Sequence, residues 1–416
     1  MKQAPLRTRR TWLRTIAFLV LISGLVPWIG ASEPDSSRQS FGPRIIPIQY
    51  DELFELEEPP PYDPFPMYGA FFFSVAKQQL PMVYDTELEL PDHIEKFSDV
   101  VYKQVDAMAL GLDVYVDRSD PSPNPLILII HGGYWKAGDK GRFYTQRATE
   151  FVNLGYTVAS INYRLSTTDP FPANIEDLRD GLLFLTERAE EFRLDPTRIM
   201  TYGISAGGHL AAFMALAANS DRAYTRGLTP SSIRGAISLY GIHDLTLTVQ
   251  RENPFTELYI GEPYALNSQS YIDASTIEHV DEHDPPILLI HGTLDGSVSV
   301  RNSDNLARAL EASNVPFVYD RIEGWPHLMD FFSPIGERSL WRIHRFLEEH
   351  MPSEEMSGRL AVKDETRHST RTPRISGRGS CAQQSNKSPD HASSLEAPGS
   401  TQTEDRTLAE RTGLPH

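Results

Sequence analysis

The chain has 416 residues, of which 40% are hydrophobic, and a formal net charge of −17. That length accommodates one large α/β domain or two small ones. The negative charge argues against nucleic acid and anionic membrane surfaces as partners, and a lone cysteine, Cys381, excludes an intramolecular disulfide.

Residues 1–31 read as an export signal. Lys2, Arg7, Arg9, Arg10 and Arg14 form a basic start without an acid, and Ile16 to Val26 is an apolar core too short to span a bilayer comfortably. Pro27 breaks it, and the small residues Gly30, Ala31 and Ser32 follow. Thr8-Arg-Arg-Thr-Trp-Leu-Arg14 also resembles a twin-arginine signal, with Trp12 where Phe is usual. The expectation is an exported protein, periplasmic or secreted, with no stable membrane insertion once the signal is removed. The alternative is a signal anchor. Without these residues the charge is about −22.

Residues 32–97 read as a leader and N-terminal arm. Ser32 to about Pro66 is rich in Pro and acids and predicts an extended, poorly ordered stretch. Tyr68 to Val75 is aromatic and suits an arm packed on the domain.

Residues 98–351 carry the domain pattern. Val100–Val105 and Leu110–Val116 alternate with period two and predict an antiparallel hairpin. Leu126–Ile130 is fully apolar, as in a central strand buried on both faces, and runs into His131-Gly-Gly-Tyr-Trp135. Helical and strand patterns then alternate: helix Arg142–Leu154, strand Tyr156–Ile161, helix Ile175–Phe192, a turn at Asp195-Pro-Thr, strand Ile199–Tyr202, helix Leu210–Ala218 and strand Ile233–Tyr240. Gly241–Pro286 reads as a long irregular insert. Strand Ile287–Ile290, helix Ser303–Ser313, strand Phe317–Ile322 and helix Ser339–Glu349 complete the series. This alternation predicts an α/β fold with a mostly parallel sheet covered by helices on both faces. Beyond Pro352 the apolar pattern ends, and residues 352–416 read as a disordered tail.

The chemistry centres on Gly203-Ile-Ser205-Ala-Gly207, placed between a strand and a helix. A serine there sits on a tight turn that small residues alone permit, with the helix N-terminus offering free N–H groups to a developing oxyanion. A serine hydroxyl needs a base, and the base needs an acid to hold its tautomer. In an open parallel sheet both must come from the C-terminal ends of strands. His327, directly after Phe317–Ile322, meets that condition. His344 and His350 fall on the last helix and His209 inside the serine helix. His131 and His291 read as structural hydrogen-bonders before glycines, and His243 and His283 remain as rivals in the insert. Asp295, at the end of Ile287–Ile290, is the expected acid, with Asp244 as its rival. Ser205, Asp295, His327 is the chain order of the nucleophile-elbow architecture. Ala206 and the loop Gly132-Gly133-Tyr134 are the expected oxyanion hole, with Ala206, Gly133 and Tyr134 donating and Gly132 shaping the loop. Tyr134 and Trp135 bring two large rings to that loop, one toward the acyl side of Ser205 and one toward the core, and predict a small acyl pocket.

These motifs, with Asn162-Tyr-Arg-Leu-Ser, Phe171-Pro-Ala-Asn-Ile-Glu-Asp-Leu, His291-Gly-Thr-Leu-Asp and Gly324-Trp-Pro-His327, resemble the α/β-hydrolase superfamily. The resemblance is to its carboxylesterase branch of hormone-sensitive-lipase-like and feruloyl- and acetyl-xylan-esterase-like members, over roughly Ser98 to His350. It implies the α/β-hydrolase fold, a Ser205–His327–Asp295 triad, an oxyanion hole from the His131 motif plus Ala206, and hydrolysis of carboxylic esters; the preference for short acyl chains comes from the small pocket expected at Tyr134 and Trp135. The sequence departs from the branch at Tyr134, which replaces a third glycine, and at Pro326, where glycine is common. The His-Gly-Gly-x-Trp pattern is shared with kynurenine formamidases, so hydrolysis of N-formyl amides is the alternative activity. An inactive hydrolase fold used for binding is the alternative outside enzymes. No cofactor and no metal are implied, and the expected partner is a small-molecule ester.

Overall fold

The computed structural model describes residues 46–357, apart from 47, 78, 86–87, 219–224 and 228–231. The export signal 1–31, the first part of the leader and the tail beyond 357 lie outside the described residues.

Eight strands form one sheet in the order β1-β2-β4-β3-β5-β6-β7-β8. They are β1 (Ile94–Val105), β2 (Met108–Asp117), β3 (Asn124–Ile130), β4 (Thr157–Ile161), β5 (Leu194–Ile204), β6 (Ile233–Leu239), β7 (Ile287–Gly292) and β8 (Phe317–Ile322). The hairpin β1–β2 is antiparallel, and β2 runs antiparallel to β4. Every pairing from β4 through β3 and β5 to β8 is parallel. The α/β-hydrolase fold expected from the sequence is therefore present.

The apolar run of β3 is buried along its whole length because each face of the sheet carries its own core. Leu126, Leu128 and Ile130 point into one, and Ile127 and Ile129 into the other. The first core is closed by α4 (Ala173–Glu187), α5 (Ala206–Leu216) and α9 (Arg301–Ala312). The second is closed by α3 (Thr145–Val152) and α10 (Ile335–His350). The expected turn at Asp195-Pro-Thr is a bulge inside β5. Pairing with β3 jumps from Pro125↔Asp195 to Leu126↔Ile199, and Asp195 Oδ1 accepts from the Thr197 N–H at 2.9 Å. The insert 241–286 is less irregular than its composition suggested: it holds the short helices α6 (Thr248–Arg251), α7 (Pro254–Ile260) and α8 (Ser268–Asp273) and a 3₁₀ turn at Thr276–His279.

Two boundaries shift. The aromatic arm packs as expected, with α2 (Tyr68–Ala76) placing Phe71 in the second core, but the leader before it is packed structure too, with α1 (Tyr50–Glu55) contributing Leu53 and Phe54. Its Pro-rich composition masked this, because widely spaced apolar residues found partners far away in the chain. At the other end the domain continues past Pro352. Met356 is buried in the second core, and the Tyr156 hydroxyl donates to Met351 O at 2.7 Å and reaches Met356 Sδ at 3.1 Å. Four residues with one large apolar side chain are too few to register as a pattern.

Candidate active site

The strand β5 ends at Ile204 and α5 begins at Ala206, so Ser205 is the single residue of the turn. Its φ of +56° and ψ of −123° lie outside the usual L-residue regions. The surrounding structure enforces this. A Cβ on Gly207 would overlap the carbonyl oxygens of Ile130 and His131, and one on Gly203 would overlap the Gly207 carbonyl. The Ser205 N–H is held by Leu239 O at 2.9 Å. Tight packing of the turn against β3 and β6 thus presents the hydroxyl at the C-terminal edge of the sheet.

His327 and Asp295 meet it there. His327 Nε2 lies 3.1 Å from Ser205 Oγ, and Nδ1 lies 2.6 Å from Asp295 Oδ2. The other oxygen of Asp295 accepts the N–H groups of Ser297 and Val298, both at 2.8 Å. His291 Nε2 is 3.3 Å from Oδ2, and its Nδ1 pairs with the Ser303 hydroxyl at 2.7 Å. Burial alone would raise the Asp295 carboxyl, but His327, His291 and the hydrogen bonds aimed at it bring it well below the usual carboxylate range. It therefore stays ionised and acceptor-only toward Nδ1–H, which leaves Nε2 as the acceptor facing Ser205.

The rival residues are placed elsewhere. Asp244 accepts from Thr246 and from Asn305 Nδ2 at 2.7 Å. His243 is buried between Ser238 and Thr276, and His283 is exposed. His131 is stacked on Tyr163 with ring centroids 4.2 Å apart, and His209 links Trp135 Nε1 to Ala274 O. Burial lowers both histidines to about 4, so they are neutral.

In the loop expected to bind an oxyanion, Gly132 differs from Gly133 and Tyr134. The Gly132 N–H donates to the Tyr144 hydroxyl at 2.9 Å and is not free for an oxyanion. The N–H groups of Gly133, Tyr134 and Ala206 have no acceptor among the described residues. Gly133, Tyr134 and Trp135 all have positive φ, and the Gly133 carbonyl closes the turn by accepting from Lys136 and Ala137 at 3.1 Å each. Trp135, expected as a pocket residue, belongs to the core: it is fully buried and stacks on Tyr259 at 4.1 Å. Successive residues of a tight turn point in opposing directions, so only one ring could stay at the mouth. That ring is Tyr134, whose hydroxyl donates to Ser297 O at 3.1 Å and whose face packs 4.9 Å from Phe255. Burial pushes its phenol up to about 12.

Two neighbours of these residues carried no local signal. Tyr144 fixes the oxyanion loop from a 3₁₀ turn at Arg142–Tyr144. Tyr240 packs its ring 4.5 Å from His327 and donates its hydroxyl to the buried Asp330 at 2.6 Å. Among the described residues no three His, Cys, Asp or Glu side chains converge as a metal-ligand set. No helix among them is long and apolar enough to cross a membrane.

Sheet order, elbow, and a histidine and aspartate supplied by the ends of β8 and β7 define the class by architecture: the chain has the α/β-hydrolase fold. Residues 112–310 match the family model BD-FAE. The chain is 29% identical over 234 residues to the probable carboxylic ester hydrolase LipM of Mycobacterium tuberculosis, covering 54% of each protein. It is 30% identical over 237 residues to the esterase LipQ of the same organism, covering 55% of this chain and 56% of LipQ. It thus spans about half the length of these curated relatives. Among solved structures, a truncated carbohydrate esterase from gut microbiota superposes with a TM-score of 0.54 at 23% identity, over 60% of this chain and 96% of that one. The propionate-bound Est2 esterase of Thermogutta terrifontis gives 0.53 at 22%, over 62% and 94%. These two likenesses are of fold.

Proposed function

We propose that the protein is a serine hydrolase that cleaves carboxylic esters with short acyl chains through an acyl-enzyme. The observation that carries this reading is the continuous relay from Asp295 through His327 to Ser205, with contacts of 2.6 and 3.1 Å. Ser205 Oγ attacks the ester carbonyl while His327 Nε2 takes its proton. Asp295 holds the imidazole in the reactive tautomer and stabilises the imidazolium. The carbonyl oxygen, now an anion, is received by the N–H groups of Ala206, Gly133 and Tyr134, backed by the positive end of α5. His327 then protonates the departing alkoxide. A water activated by the same imidazole releases the acid and restores the serine. Relatives named as ester hydrolases support this over formamide hydrolysis.

Short acyl chains follow from Tyr134. Its ring is held by Ser297, on the loop of Asp295, and by Phe255, at the position where a third glycine would leave open space. Each methylene that finds room adds up to about 0.8 kcal/mol of binding, and the gain stops where the ring begins. Export is supported by the basic, then apolar, N-terminus. The test is turnover of p-nitrophenyl esters from acetate to decanoate by the wild type and by Ser205→Ala, alongside N-formylkynurenine. We expect kcat/KM to peak between acetate and butyrate, and Ser205→Ala to lose about 10⁴–10⁶ in kcat. More than a tenth of wild-type turnover in Ser205→Ala would sink the serine assignment. An optimum at octanoate or longer would sink the small pocket, and faster formamide than ester turnover would overturn the substrate class.

A further inference from the structure

The segment that precedes the family match has a place in this site. Residues 112–310 match the family model, and the stretch from Tyr62 to Val83 lies wholly before it. His327 is carried on an arch that leaves β8 at Ile322 and returns to regular structure in the 3₁₀ turn Met329–Phe331. The N-terminal stretch grips both feet of that arch. At the first foot the Glu323 N–H donates to the Tyr62 hydroxyl at 3.0 Å, and the Phe65 N–H donates to Gly324 O at 3.1 Å. The Trp325 indole N–H donates to Asp63 O at 3.0 Å. At the second foot the Val83 N–H donates to Phe331 O at 2.9 Å, and the Ser333 N–H donates to Pro81 O at 3.0 Å.

Packing reinforces the grip. Phe65 meets Trp325 edge to face with centroids 5.0 Å apart, and Phe71 meets it at 5.8 Å. Trp325 is two residues from His327 and is buried. On its other side the sheet holds the same residue: Leu294 N–H donates to Trp325 O at 2.9 Å. Gly324 has φ of +74°, and a Cβ there would collide with Phe65 and Pro64. The first foot is therefore clamped between the end of β7 and the N-terminal stretch. The clamp also touches the acid's loop, where the Tyr68 ring packs beside Gly296.

We infer that Tyr62–Val83 is a positioning element for His327, fixing the arch so that Nε2 stays within reach of Ser205; this rests on the serine-hydrolase reading above. A reactive contact of this kind loses rate steeply with small displacements, so a shift of the arch is read in kcat. A purely stabilising packing contact would lower the melting temperature and leave kcat of the folded enzyme alone.

The experiment uses the full chain with p-nitrophenyl acetate. Phe65→Ala removes the edge contact to Trp325, and Tyr62→Phe removes only the acceptor for the Glu323 N–H. Each is also placed in a His327→Ala background. Phe97→Ala, which removes a ring of the opposite edge strand β1 packed 5.5 Å from Phe192, serves as a stability control. Phe65→Ala is expected to lower kcat by about 10- to 100-fold with KM within about twofold. Tyr62→Phe is expected to lower kcat about three- to tenfold. Neither is expected to change the residual rate once His327 is absent, and Phe97→Ala is expected to lose melting temperature without losing kcat. Unchanged kcat in both variants, or losses of the same size without His327, would overturn the proposal. If Phe65→Ala does not fold, Tyr62→Phe decides alone. Persistence of activity in Ser205→Ala would instead overturn the reading on which the proposal rests.

Discussion

Asp295→Asn separates the acid of the relay from an ordinary turn aspartate. In the wild type four donors converge on the buried carboxylate: the N–H groups of Ser297 and Val298 on one oxygen, and His327 Nδ1 with His291 Nε2 on the other. Asparagine keeps one acceptor oxygen, and the two backbone N–H groups of its own turn claim it. Its NH₂ then faces His327. Two donors cannot share that 2.6 Å contact, so the imidazole moves its proton to Nε2 and offers a lone pair at Nδ1. Nε2 then presents a hydrogen to Ser205 and no longer accepts one. The loss of the reactive tautomer is expected to cost about 10⁴ in kcat, which corresponds to about 5 kcal/mol of transition-state stabilisation. Asp244→Asn is the control. That carboxylate serves Thr246 and Asn305 and does not contact His327, so its kcat/KM is expected within about threefold of wild type. Both variants are assayed with p-nitrophenyl acetate after circular dichroism confirms folding. Asp295→Asn within tenfold of wild type, or a larger loss for Asp244→Asn, would refute the assignment.

Tyr144→Phe leaves the Gly132 N–H without its 2.9 Å acceptor and is expected to lower kcat several-fold, at about 1–3 kcal/mol for a buried unmade bond; an unchanged kcat would show that the loop holds itself. Met356→Ala empties a buried site beside Tyr156 and is expected to cost about 2–4 kcal/mol in urea unfolding, whereas a loss below 0.5 would return the domain boundary to Pro352. Acid should destabilise the fold through its buried neutral histidines. His131 and His209 are lowered to about 4 when folded and titrate at about 6.5 when unfolded. Between those values the unfolded chain binds more protons, so stability is complete above the upper one and falls as pH drops toward the lower, by up to about 3 kcal/mol for each. Denaturation curves that do not change across this window would refute the burial of these rings as neutral groups.

Local chemistry determined much of this protein in advance. An all-apolar Leu126–Ile130 has few other homes than a strand covered on both faces. A serine flanked by glycines between a strand and a helix has few other shapes than a sharp turn. Because chemistry on an open parallel sheet gathers at the strand ends, the same logic singled out His327 and Asp295 from competing histidines and acids, and the structure brings both to Ser205. What remained hidden depends on contacts between residues far apart in the chain. The Pro-rich stretch around Tyr62 has no periodicity of its own, and its order comes from Gly324 and Trp325, some 260 positions away. Gly132 read as the residue that shapes the oxyanion loop, but that Tyr144, twelve residues on, holds its N–H was not legible. Trp135 was drawn from the pocket into the core by Tyr259 and His209, residues of other helices. Side-chain type and spacing decide what a segment is able to form. Which of its polar groups and rings remain free for chemistry is decided only when distant segments pack and compete for them.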